Sequence, residues 1–186
     1  QRVWHLADFP YFFRRNTDLV RIPPASDDRV IAANVFELVS PLQRLFTQAG
    51  KTLVFRSEPA SDHDVIYIGT FQYLKPVQEI LASAGIGVTL VEEKSETEKD
   101  ISSTPDIETT PTPEPKSTLT IQDVGVFSIA GTQLFLVDQT SSRTRLLILG
   151  EDEASLAIAV ERLMSTDFSG CVTQDDLTLC TTTPAV

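Results

Sequence analysis

The chain has 186 residues, with 15 Lys+Arg against 26 Asp+Glu for a formal net charge of −11, 41% hydrophobic residues and 10 Phe. A surface this negative repels phosphate backbones and anionic lipid, which excludes nucleic-acid and membrane-surface binding as leading functions, and the apolar content suffices for a packed core, which excludes disorder throughout. No apolar run approaches the roughly 18–20 residues that span a bilayer, so direct membrane insertion is not expected, and the opening Gln1-Arg2-Val3-Trp4-His5 lacks the pattern of a signal peptide. Gln1 in place of Met is the start expected of a mature or excised piece.

In chain order, Asp18 to Ile22 (DLVRI) alternates and meets Pro23-Pro24, which reads as a short strand ended by a turn. Ser26-Asp27-Asp28 offers N-cap chemistry for a helix in which Val30, Ile31, Val35, Leu38, Leu42, Leu45 and Phe46 recur at helical spacing up to Gly50, a C′ glycine. Pro41 inside that pattern predicts a kink or restart near Ser40, because proline removes one helix hydrogen bond and clashes with the preceding turn. Thr52 to Phe55 and Asp64 to Gly69 (DVIYIG) read as strands, the second continuous enough to be central. Leu74, Val77, Ile80, Leu81 and Ala84 predict a second helix, with Pro76 in its first turn and Gly85 past its end, and Val88 to Val91 reads as the next strand.

Glu92 to Thr118 (EEKSETEKDISSTPDIETTPTPEPKST) interrupts this pattern. It carries eight acids and three Lys, a balance of −5, and Ile101 and Ile107 are its only apolar residues besides four Pro. Such a composition buries too little to offset its ordering entropy, so a disordered insertion over residues 92–118 within one domain spanning 1–186 is expected. Thr104, Thr110 and Thr112, each before Pro, are candidate modification sites, with a solvated spacer the simpler reading.

After the insertion, Leu119 to Ile121, Val124 to Ile129, Gln133 to Val137 and Arg145 to Leu149 read as a meander of strands, with turns at Ala130-Gly131-Thr132 and Thr140-Ser141-Ser142. Leu156, Ala159, Val160 and Leu163 make a third helix, introduced by Gly150-Glu151-Asp152-Glu153. The alternation implies an α/β fold with a mixed sheet covered on both faces, a flavodoxin-like three-layer sandwich.

In open α/β sheets ligands bind beyond the carboxyl ends of the strands. There, Ile68-Gly69-Thr70 runs into the bulky Phe71-Gln72-Tyr73-Leu74, and Pro23-Pro24-Ala25-Ser26 is no better suited to phosphate. No G-x-G-x-x-G, Walker A or flavodoxin-type phosphate loop occurs, so no cofactor is expected. His5 and His63 lie in separate segments, and His63 within Asp62-His63-Asp64 reads as a surface histidine beside acids, so neither a metal site nor a Ser/His/Asp arrangement is expected. Cys171 and Cys180, flanking Gln174-Asp175-Asp176, sit where a hairpin would bring them within disulfide reach. Closing a loop of about ten residues stabilises by roughly 2.5–3 kcal/mol on the chain-entropy estimate, and a disulfide points to an oxidising compartment. The alternative is two unpaired buried thiols.

Three patches together carry a family resemblance. Phe9-Pro10-Tyr11, then Asp64-Val65-Ile66-Tyr67-Ile68-Gly69-Thr70, then Leu146-Leu147-Ile148-Leu149-Gly150-Glu151-Asp152-Glu153 opening a helix resemble the flavodoxin-like subdomains of the regulatory (periplasmic B) subunit of bacterial cellulose synthase. Between Phe9 and Met164 the resemblance spans most of the chain. It departs where Tyr11 is followed by Phe12-Phe13 and in the acidic Thr/Pro stretch. The resemblance implies a flavodoxin-like fold without flavin chemistry, in line with the missing phosphate loop.

The expectation is therefore a non-catalytic structural or interaction module of an extracytoplasmic protein of the bacterial cell envelope, meeting a protein partner or polysaccharide. A carbohydrate-binding module is one alternative, with Phe71 and Tyr73 as stacking platforms and Trp4, Tyr11, Phe12 and Phe13 as further aromatics. An α/β enzyme using Glu151, Asp152 or Glu153 as acid/base groups is another, although acids at a helix start are expected from the helix dipole alone.

Overall fold

The computed structural model describes residues 4–22, 29–91, 116–139 and 142–181, and of residues 29–36 only the backbone. The Pro23-Pro24 turn, the Ser26–Asp28 cap and the stretch from Glu92 to Pro115 lie outside the described residues. Lys116 to Thr118 lie inside them, and Thr118 belongs to a strand, where disorder was expected up to Thr118.

The elements in order are β1 (Asn16–Ile22), α1 (Arg29–Gln48), β2 (Thr52–Arg56), β3 (Asp64–Thr70), α2 (Gln78–Ser83), β4 (Ile86–Thr89), β5 (Thr118–Ile121), β6 (Gly125–Ser128), β7 (Thr132–Asp138), β8 (Arg145–Gly150), α3 (Glu153–Ser165), β9 (Val172–Gln174) and β10 (Leu177–Thr181). Short 3-10 turns at Leu6–Asp8 and Lys75–Val77 precede β1 and α2. Seven strands form a mixed sheet in the order β2-β1-β3-β8-β7-β10-β9. The first four are parallel, and β7, β10 and β9 continue antiparallel from β8.

Sequence and neighbours account for these positions. β3, β7 and β8 are buried on nearly every residue, as strands covered on both faces must be. β2 and β9, at the edges, are short and largely exposed. Gly69 in β3 is a steric requirement, since a Cβ there would sit 2.3 Å from the carbonyl oxygen of Ile22 in β1.

Each face of the sheet has its own core. On one, Leu19, Ile66, Ile68, Leu146 and Ile148 meet Leu42 and Phe46 of α1, Leu156 and Leu163 of α3, and Phe9, Phe12 and Phe13 of the N-terminal segment. On the other, Val20, Val65, Leu134, Leu147 and Leu149 meet Ile80 and Leu81 of α2 and Ile86, Leu119 and Ile121 of a second, three-stranded sheet. That sheet runs β4-β5-β6, all antiparallel.

Here the expected meander is corrected. β5–β6 and β7–β8 are both antiparallel pairs, but they lie in different sheets. β4 likewise leaves the main sheet and pairs with β5. The one-sided burial of β4 and β5 suits a sheet with one wet face, whereas the fully buried runs of β7 and β8 suit the centre.

Helix α1 continues through Pro41 as a single helix, so of the kink or restart expected near Ser40 the restart does not occur. Its C-terminus is a Schellman motif: the Lys51 N–H donates to the Phe46 carbonyl at 2.9 Å, the Gly50 N–H to Thr47 at 3.0 Å, and Gly50 adopts φ +71°.

The step from β2 to β3 lacks a helix. Seven residues, 57–63, cross over β1 from the carboxyl end of one parallel strand to the amino end of the other. What holds so short a crossover is a buried carboxylate, Asp18 of β1.

Candidate functional site

The reversal point of the parallel strand order lies between β1 and β3, whose following connections leave in opposite directions, and ligands in such sheets sit beyond the carboxyl ends there. Alternation along β1 turns Arg21 toward the face of α1 and α3, where it is only 6% exposed. Its guanidinium makes a two-point pair with Glu153, the first residue of α3, with Nη1 donating to Oε2 at 3.1 Å and Nη2 to Oε1. Desolvation pulls Arg21 below the ordinary guanidinium value, and its Nε is buried without a hydrogen-bond partner.

The neighbouring acids are committed in the same way. Asp152 is the N-cap of α3 and accepts the Ser155 N–H at 2.8 Å. Glu151 accepts the Gly131 N–H at 2.7 Å, pinning the turn that leads into β7. Phe71 donates its N–H to the Gly150 carbonyl at 3.0 Å, tying the end of β3 to the end of β8. Each acid that a catalytic reading would enlist thus carries a fold contact.

The opposite, amino-terminal edge holds a second polar cluster. Asp18 of β1 is fully buried and accepts from Arg56 Nε at 3.0 Å, from the Ala60 N–H at 2.8 Å and from His63 Nδ1 at 3.0 Å. Burial alone would raise the Asp18 pKa. Hydrogen bonds from His63 and the Ala60 N–H, the His63 charge and the Arg56 hydrogen bond outweigh it, holding the carboxyl below its ordinary value. All three donors lie in or beside the 57–63 crossover, so Asp18 is the post to which that loop is tied.

Asp64, also fully buried, does the same for two other segments, accepting the Arg14 N–H at 2.6 Å and the Thr144 N–H at 2.9 Å. In place of the surface histidine its sequence neighbours predict, His63 has a side chain only 19% exposed and bonded to Asp18. The signal available in the sequence was Asp18 sharing a strand face with the apolar Val20 and Ile22.

Cys171 and Cys180 are joined, with Cα atoms 4.3 Å apart across the β9–β10 hairpin. Phe71 and Tyr73 part company. Phe71 is 1% exposed within the core beneath α2, so neither ring face is offered to a sugar, whereas Tyr73 is 44% exposed. Of the other aromatics, Phe12 and Phe13 are core and Tyr11 is 65% exposed. Among the described residues no cluster of three or more His, Cys, Asp or Glu is arranged to hold a metal ion.

A largely apolar concavity on the α1 and α3 face reaches the carboxyl-end edge at Glu153. A groove of about 560 Å³ runs between α1 and α3, floored by Leu38, Pro41, Ala154, Ala157, Val160 and Met164 and bordered by Glu37, Glu153 and Glu161. On the other side of the sheet, α2 overhangs a smaller pocket of about 230 Å³ whose polar wall includes Asp138, Asp175 and Asp176. Burial and the nearby Asp175 and Asp138 carboxylates raise the Asp176 pKa above its ordinary value. No protein-family model and no curated protein sequence matches the chain.

Proposed function

We propose that this chain is a non-catalytic interaction module of an extracytoplasmic protein of the bacterial cell envelope, with a flavodoxin-like fold akin to the subdomains of the cellulose synthase regulatory subunit. The observation that carries the reading is the engagement of Arg21, Glu151, Asp152 and Glu153 in fold contacts at the edge where an α/β enzyme would place its chemistry. The parallel run β2-β1-β3-β8 supports the flavodoxin-like assignment, because it is the 2-1-3-4 part of that strand order. The antiparallel β7 stands where flavodoxins carry a fifth parallel strand. The Cys171–Cys180 bond supports an oxidising compartment.

The test is a panel of hydrolase, transferase and flavin-dependent assays on the purified chain, together with a flavin titration followed by fluorescence. The expected result is no turnover and no flavin binding. Turnover that is lost on Glu153→Gln or His63→Ala would overturn the reading in favour of an enzyme.

A carbohydrate-binding role has one observation in its favour, the exposure of Tyr73 and Tyr11. Titration with cello-oligosaccharides would then give saturable binding that Tyr73→Ala abolishes.

A further inference from the structure

We propose that the groove between α1 and α3 is the docking site for a basic amphipathic helix of a partner protein. The proposal rests on the interaction-module reading above and names the surface and the partner chemistry.

The groove is apolar where it is deep and acidic where it is shallow. Val160 is buried at its floor, Leu38, Pro41 and Met164 are half-buried, and Ala154 and Ala157 are exposed. Helical spacing explains the division. Leu156, Ala159, Val160 and Leu163 turn α3 toward the sheet, while Ala154, Ala157, Glu161 and Met164 form the adjoining stripe beside α1. Ala at positions 154 and 157 keeps that stripe low, so another helix can approach closely. From Ala154 to Met164 the stripe is about 15 Å long at 1.5 Å per residue, room for about three turns of a partner.

Charge selects the occupant. Glu153 is matched by Arg21, but among the described residues Glu37 and Glu161, both exposed and on opposite walls, are in no ion pair. Two carboxylates around an apolar floor call for Lys or Arg flanking an apolar stripe, the pattern of a helix laid in a groove. The same charges argue against the other occupants. A second copy would set Glu37 and Glu161 against themselves across a two-fold interface, the chain's own Glu92–Thr118 stretch carries −5, and anionic lipid is repelled.

The experiment titrates the full chain with a labelled synthetic helix bearing Leu at i, i+3, i+4 and i+7 spacing and Lys elsewhere, and with its counterpart bearing Glu for Lys. Anisotropy is read near physiological salt, and thermal melts confirm that each variant folds. The Lys helix is expected to bind saturably and the Glu helix not. Ala157→Arg, which fills the exposed floor, and Glu37→Lys with Glu161→Lys, which reverses the walls, should each weaken binding by about tenfold or more. Glu58→Lys with Glu79→Lys, which removes the same charge elsewhere on the surface, should leave binding unchanged. Should Ala157→Arg fail to fold, Ala154→Arg takes its place.

Absence of saturable binding, or equal losses from the groove and control variants, overturns the proposal. So does a dimer in analytical ultracentrifugation that Ala157→Arg dissolves, which would make a second copy the occupant. None of these results touches the non-catalytic reading, which falls only to turnover.

Discussion

Asp18 is the residue on which most of the amino-terminal edge depends. A carboxylate inside a strand is costly to bury, and it persists because Arg56 at the end of β2 and Ala60 and His63 of the 57–63 crossover satisfy it. Asp18→Ala leaves the Ala60 N–H and the His63 ring without their acceptor, and we expect a loss of about 2–4 kcal/mol in urea unfolding. The pH dependence follows from the depressed pKa in the fold. The stabilisation from Asp18 is present above the unfolded-state value near 4 and is lost as pH falls through the lower folded-state value. The wild type should therefore lose stability below about pH 4, and Asp18→Asn should show a flatter curve there. A curve for Asp18→Asn parallel to that of the wild type would mean that the pH dependence lies elsewhere. None of the three donors is identifiable from the local sequence, because Arg56, Ala60 and His63 come together only through the crossover. The odd polar position in β1 was legible, and its partners were not.

Among the elements, the C-terminal hairpin pairs β9 with its sequence neighbour, while β10 also pairs with β7. Its two-residue turn, Asp175-Asp176, and the register of Leu177 against Gln174 follow from local alternation, which is why the cysteine pairing was readable in advance. The two sulfurs differ in access, since Cys171 is partly exposed and Cys180 is fully buried beside α3. A thiolate reductant can reach only Cys171, and attack there must expel Cys180 as a thiolate into an apolar core, which raises the barrier to exchange. Dithiothreitol should therefore reduce the native chain slowly, and the rate should climb in urea concentrations that open the hairpin without unfolding the whole. A native rate equal to that in denaturant would contradict this. Once broken, as in Cys171→Ser with Cys180→Ala, the link should cost about 2.5–3 kcal/mol by chain entropy.

On the scale of the whole molecule, the second sheet is fastened to the first through one apolar layer. Leu119 of β5 is fully buried there, between the small sheet and the β1, β3, β7 and β8 residues of the same core. Leu119→Ala should destabilise by about 3–4 kcal/mol through the lost contacts and the cavity left behind. If the two sheets unfold together, the urea midpoint falls while the slope stays constant. A second transition, or a smaller slope, would show that β4-β5-β6 opens by itself.

Local sequence determined where most elements are, to within about two residues, although α2 begins only at Gln78, after the 3-10 turn that holds Pro76. The helical stripe of α1 ending at Gly50, the continuous apolar runs of β3 and β8, the acids opening α3 and the Cys171–Cys180 hairpin each depend on neighbours a few positions away. What only the tertiary structure decided is which strand lies beside which. Periodicity tells whether one or both faces of a strand are buried, but not what buries them, and so β4 and β5 could be recognised as strands without revealing that they form a sheet of their own. Pairing is chosen by total burial and by the polar ties that make a connection possible, such as Asp18 beneath the crossover. The groove between α1 and α3 arises likewise, since its two walls are about 120 residues apart in the chain and meet only once both helices pack on the same face.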